Sequence, residues 1–123
     1  MLEAYSTNVT VGANANIPFN STSLIKGCTA THPSSDTIDL NKCGVYMISV
    51  DATTGTSTTI QLYKDGVAQP QAQSTGTSLG FVTLVQVSEN NTNCPCTAPT
   101  VITVQNETAG TFDNANIVVT KVI

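Results

Sequence analysis

The stretch Gly44–Gly66 reads GVYMISVDATTGTSTTIQLYKDG, and the spacing of its apolar residues decides the fold. Side chains alternate across a β-strand, so Val45 and Met47 point one way while Tyr46, Ile48 and Val50 point the other. A strand in a sheet with one solvated face carries polar residues on that face. This one is apolar on both, and it is expected to lie between a β-sandwich core and a second apolar surface. Another copy of the same chain is the simplest such surface. The run ATTGTS is expected to turn the chain into a second strand, Thr58–Lys64, and Asp65-Gly66 marks a tight hairpin because the pair readily adopts positive φ.

Beyond the hairpin, Val67–Ser74 is polar and contains Pro70, which lacks an N–H for a ladder, so it is expected at a sheet edge. Ser78–Val87 repeats the double apolar pattern: Phe81, Thr83, Val85 and Val87 share one face, Val82 and Leu84 the other. Thr100–Gln105 follows. Ala115–Ile123 sets Ile117, Val119 and Ile123 against Val118 and Val122, and so apolar a segment is expected to be a central strand. On the N-terminal side, strands are expected over Tyr5–Ile17, closing at Pro18, over Ser23–Lys26 and over Thr37–Leu40. Seven or eight short strands separated by turn signals, with no helical period, describe an all-β sandwich or jelly roll.

Composition agrees. The 123 residues suffice for one domain, 1–123, with 1–4 expected as an N-terminal tail. Hydrophobic residues make up 40% and charged residues only 10%, so Thr, Ser, Asn and Gln must supply the polar surface. Arg and Trp are absent. A net charge of −4 and four scattered lysines argue against nucleic acid as a partner. No apolar run reaches the ~20 residues of a membrane span. The first residues carry no signal-peptide pattern, as expected of a virion component or of a chain whose leader has been removed.

GVYMISV followed by IQLYKDG resembles the central hairpin of the complement C1q and tumour necrosis factor jelly-roll superfamily, where a Gly-Val/Ile-Tyr strand precedes a strand ending in Lys-Asn/Asp-Gly. The small, Thr-rich, charge-poor character is most similar to the heads of bacterial collagen-like surface proteins and of bacteriophage fibre or capsid-decoration proteins. The resemblance implies a jelly-roll β-sandwich of two antiparallel sheets that assembles as a homotrimer, with the second apolar face of Gly44–Ala52 near a threefold axis. It implies a place on a virion surface, or on an extracellular, bacterial cell or spore surface. The chain lacks the many aromatics and the collagen stalk of animal members, which argues against an animal signalling role. Core or trimer-interface candidates are Tyr46, Ile48, Val50, Phe81, Val85, Ile117 and Val119.

Little here suggests chemistry. Four cysteines, Cys28, Cys43, Cys94 and Cys96, allow three pairings. Cys94 and Cys96 are too close in sequence to pair without strain. A Cys28–Cys43 disulfide is the more comfortable choice and would contribute roughly 3 kcal/mol by constraining the unfolded chain. Zinc is a weaker match to this spacing. His32, the one histidine, sits in the turn-like run THPSSD with no nucleophile signature near it, so no catalytic site and no cofactor are expected. Asp36 and Asp39 are more simply solvated acids than calcium ligands. Sequons at Asn8, Asn20, Asn90 and Asn106 arise readily by chance in so Asn- and Thr-rich a chain.

The expected function is a non-enzymatic module partnered by itself and by a capsid or fibre protein. The alternative is an adhesin head that binds a host surface glycan or receptor through the loops Cys28–Asp36 and Ser88–Pro99, the latter presenting Asn91, Asn93, Cys94 and Cys96. Sugar stacking has few aromatics to use.

Overall fold

The computed structural model describes residues 1–87 and 99–123. Among these described residues nine strands follow in order: β1 (Leu2–Val11), β2 (Ala15–Asn16), β3 (Ser21–Ile25), β4 (Ala30–Ser34), β5 (Thr37–Leu40), β6 (Gly44–Lys64), β7 (Val67–Val87), β8 (Thr100–Asn106) and β9 (Gly110–Lys121). There is no helix among the described residues, and so none long and apolar enough to cross a membrane.

All pairings are antiparallel. Hydrogen bonding runs β3-β1-β9-β6-β8-β5-β4, with β7 beside β6 and β2 beside β8. The ladder doubles over at β6. Tyr46–Thr54 pairs with β9, whereas Ile60–Lys64 pairs with β8, so the first half of β6 belongs to one layer (β3-β1-β9-β6-β7) and the second half to the other (β4-β5-β8-β6-β7). β7 follows it across both layers. This is the two-layered jelly roll expected from the strand pattern.

The ATTGTS run is therefore a register shift within one long strand rather than a turn between two. Thr is at home in extended structure, and Thr54 Oγ1 gives the irregularity local partners, lying 3.1 Å from Thr111 O and accepting the Thr56 N–H at 3.3 Å. On the facing strand Gly76 takes φ +135°, opposite Thr58. The two strands thus bend together, as bulged strands do where they pass from sheet to sheet. Asp65-Gly66 closes the hairpin with positive φ at both positions, 50° and 81°, as expected.

Between the layers lie Leu2, Tyr46, Ile48, Val50, Ile117 and Val119 from one side and Ile38, Leu40, Ile60, Leu62, Ile102 and Val104 from the other, capped by Ile17, Phe19 and Phe112. Each such aliphatic side chain contributes roughly 1.5–3 kcal/mol by leaving water.

Several boundaries differ from expectation. Residues 2–4 are not a tail: Leu2 and Ala4 are fully buried, and β1 is hydrogen-bonded on both sides, to β3 and β9. The first strand stops at Val11 rather than Ile17, because Asn14 turns the chain with φ 58° before β2. Most of the run THPSSD, Thr31–Asp36, read as turn-like, belongs instead to an edge strand, Ala30–Ser34, that accommodates Pro33 because it pairs only with β5. The last strand is central as expected, lying between β1 and β6, but it ends at Lys121, leaving Ile123 78% exposed.

Candidate interaction surfaces

The residues singled out from the sequence fall on one side of β6, β7 and β9. Tyr46, Ile48, Val50, Val85, Ile117 and Val119 are all buried in the protomer's own core, and Phe81 packs partly buried against it. They hold the layers together. The Tyr46 hydroxyl accepts the Lys42 N–H at 3.2 Å and lies 2.8 Å from Lys42 O and 3.2 Å from Thr29 O. Burial pushes this phenol above its ordinary pKa, partly offset by the Lys42 hydrogen bond.

The opposite side of the same strands is open and apolar. Met47 stands opposite Leu84 on β7, and Ser49 stands between Val82 on β7 and Val118 on β9. Met47 is 39% exposed, Val82 63% and Leu84 61%. One row further along, Asp51 lies between Gly80 and Asn116. Asn116 Nδ2 donates to Glu3 Oε2 at 3.3 Å, and Ser23 Oγ donates to Glu3 Oε1 at 2.8 Å. The face is thus apolar near the Gly44 end and polar beyond Ser49. The alternation had marked this side through Val45, Met47, Val82 and Leu84.

A recess of about 180 Å³ opens on the outer surface of the other layer, lined by Asn14, Thr59, Gln61, Tyr63, Gln105 and Glu107. Gln61 and Gln105 are directly paired across β6 and β8. A buried network holds its rim. Thr58 Oγ1 donates to Asn106 Oδ1 at 2.7 Å, while Asn106 Nδ2 donates to Thr108 O at 2.7 Å and lies 3.3 Å from Gly12 O. Gln105 Nε2 donates to Asn14 O at 3.2 Å, and Glu107 N donates to Thr59 O at 3.0 Å. None of the six lining residues figured as a candidate from the sequence; the shared outward phase of Thr59, Gln61 and Tyr63 on β6 was the available signal.

The remaining expectations divide. Cys28 is a free, exposed thiol, so the expected Cys28–Cys43 disulfide is not formed; Cys43 is disulfide-bonded. The β4–β5 hairpin pairs Ala30 with Leu40 and so brings the ends of this loop together, but the Cys43 sulfur is already spent in a disulfide that leaves Cys28 out. Asn91, Asn93, Cys94 and Cys96 lie outside the described residues.

His32 sits on β4, with Nδ1 3.0 Å from Thr22 Oγ1 and Nε2 3.1 Å from Ser35 O, so it ties β3 to the β4–β5 turn. Asp36 accepts from Ser34 Oγ at 3.2 Å and from Asn16 Nδ2 at 3.4 Å. Asp39 is half-buried; burial, then the negative charge of Asp65, raises its pKa. Asn106, read as a sequon, is fully buried and spends its amide internally.

No protein-family model matches the chain, and no curated protein matches it by sequence. Solved structures do match. The globular domain of zebrafish complement 1qA superposes with a TM-score of 0.75 at 7% identity, covering 99% of this chain and 96% of that one. The chain has the complement C1q/tumour necrosis factor jelly-roll fold. PRD1 vertex protein P5 shares it with a TM-score of 0.69 at 15% identity, over 99% of this chain and 96% of that one. Murine APRIL shares it with a TM-score of 0.64 at 12% identity, over 98% of both chains. The likeness is one of fold, and it agrees with the resemblance carried by Gly44–Gly66.

Proposed function

We propose that the chain is a non-enzymatic, homotrimeric structural and interaction module displayed on a virion, as a capsid decoration or fibre head, or on a bacterial cell or spore surface. The observation that carries this reading is the open apolar patch of Met47, Val82 and Leu84 on strands whose other side is already buried. Large side chains on both sides of a strand are costly to leave in water, and a second copy of the chain supplies the cover. Because β7 lies at the edge of its layer, its Val82 and Leu84 can meet a different part of a neighbouring protomer. Such a head-to-tail contact closes into a ring when the rotation allows. Fold likeness to a vertex protein, PRD1 P5, supports display on a virion.

Native mass spectrometry and light scattering test the assembly: a trimer at micromolar concentration is expected, and a monomer overturns it. Mass spectrometry of purified virions or spore coats tests the location.

A further inference from the structure

We infer that the recess on the outer layer is a binding site for a single neutral sugar ring. It lies wholly within one protomer, so it does not depend on assembly; it gives the surface-module reading a ligand class.

The lining selects the chemistry. Gln61 offers an amide with donors and an acceptor, Tyr63 a hydroxyl and Glu107 a carboxylate acceptor, while the Thr59 hydroxyl, bonded to Thr75 Oγ1 at 2.7 Å, and the Gln105 amide, bonded to Asn14 O at 3.2 Å, keep only their remaining capacity. A ring bearing adjacent hydroxyls, each donor and acceptor at once, matches such a set. The Tyr63 side chain supplies an aromatic body beside these polar tips, the element that the sequence alone did not bring together with amides. No lysine lines the recess, and the nearby Lys64 Nζ is committed to Gln86 O at 2.6 Å. With Glu107 as the charged side chain of the lining, a phosphate or other anion would be repelled. The volume of about 180 Å³ falls below the roughly 300–1,000 Å³ of sites for drug-sized ligands, which limits the occupant to about one ring.

Three of the lining groups are also unspent. On the adjoining strand β7, Gln69, Gln71 and Gln73 turn their amides back onto the chain, to Val67 O at 3.0 Å, Thr83 Oγ1 at 3.5 Å and Pro70 O at 3.1 Å. The Gln61 amide, the Tyr63 hydroxyl and the Glu107 carboxylate make no hydrogen bond within the described residues. The rim, by contrast, is fixed by the buried Thr58–Asn106 bond and by Gln105 on Asn14. A rigid frame that presents free donors and acceptors is preorganised for a ligand.

The test uses the intact protein with glucose, galactose, mannose and N-acetylglucosamine as probes, each at about 10 mM, where millimolar affinities are visible. Saturation-transfer NMR should report at least one of them, and amide shifts should move at Gln61, Tyr63 and Gln105. Gln61→Ala and Tyr63→Ala should each weaken binding about tenfold or more, equivalent to about 1.4 kcal/mol, with the melting temperature and oligomeric state unchanged. No transfer from any of the four sugars, or shifts confined to other residues, overturns the inference. Because the shift map needs no substitution, it decides even where a variant fails to fold. A trimer that binds no sugar sinks this site and leaves the assembly standing; a monomer that binds one does the reverse.

Discussion

Met47 and Leu84 face each other across β6 and β7 with both side chains in solvent, while the adjacent pair, Tyr46 and Val85, is sealed in the core. Neighbouring rungs of one ladder therefore respond oppositely to charge. Leu84→Asp is expected to leave circular dichroism and cooperative melting intact while shifting the light-scattering mass from trimer to monomer. Tyr46→Asp is expected to unfold the protomer, because an unpaired buried charge costs several kcal/mol. A folded, trimeric Leu84→Asp protein would count against the proposed interface.

Tyr46→Phe separates the hydroxyl from the ring. It removes the partner of the Lys42 N–H and a group within reach of Lys42 O and Thr29 O, and stranded buried polar groups cost about 1–3 kcal/mol. Urea unfolding should show a lower midpoint with an unchanged slope.

Asn106→Ala leaves the Thr58 hydroxyl proton without its acceptor and Thr108 O and Gly12 O without their donor. A loss of about 1–3 kcal/mol is expected, and Asn106→Asp should not restore it, since a carboxylate cannot donate to Thr108 O. Because the side chain is fully buried, a glycan on Asn106 is incompatible with the fold, and the folded fraction from a glycosylating host should carry none there, which peptide mass mapping checks.

Asp39 carries a raised pKa, so the folded state holds its proton more tightly than the unfolded state does. Its contribution is greatest below the unfolded value of about 3.9 and is lost as pH rises through the folded value. At neutral pH the ionised Asp39 is a burden. Asp39→Asn should therefore raise the urea midpoint at pH 7 and lose that advantage at acidic pH; an equal gain at both would refute the assignment.

Gly44 has φ +142°, and a methyl there would run into the Ile123 carbonyl oxygen and the Lys121 side chain. Gly44→Ala is expected to cost about 1–3 kcal/mol and to loosen the Val45–Ile123 contacts. Faster exchange of the Val122 amide, which donates to Val45 O at 2.8 Å, would report it.

The two-residue period was enough to place Tyr46, Ile48 and Val50 inside and to single out Met47 and Leu84, because alternation is a property of the backbone. Where one strand ends and another begins was less legible. A Thr- and Gly-rich run such as ATTGTS suits a turn and a bulge equally, and the choice rests on Thr54 and Thr111, distant in sequence, meeting in space. The cysteine pairing failed for a related reason: spacing along the chain says little about which thiols the sheets bring together. The outer recess was hidden because its residues come from the turn before β2, from β6, and from the end of β8 and the residue after it, and each one alone is an ordinary surface polar residue.

The β6–β7 hairpin has a mechanical consequence. Since its two strands run through both layers, neither layer can peel away while the other stays intact, and a force or protease acting at one end meets the whole sandwich at once. Partial openings that expose one layer are thereby suppressed, and amide exchange in the two halves of β6 should proceed at similar free energy. Unfolding then takes the form of a single slow event, which would suit the proposed display on a surface exposed to shear, drying and digestive enzymes.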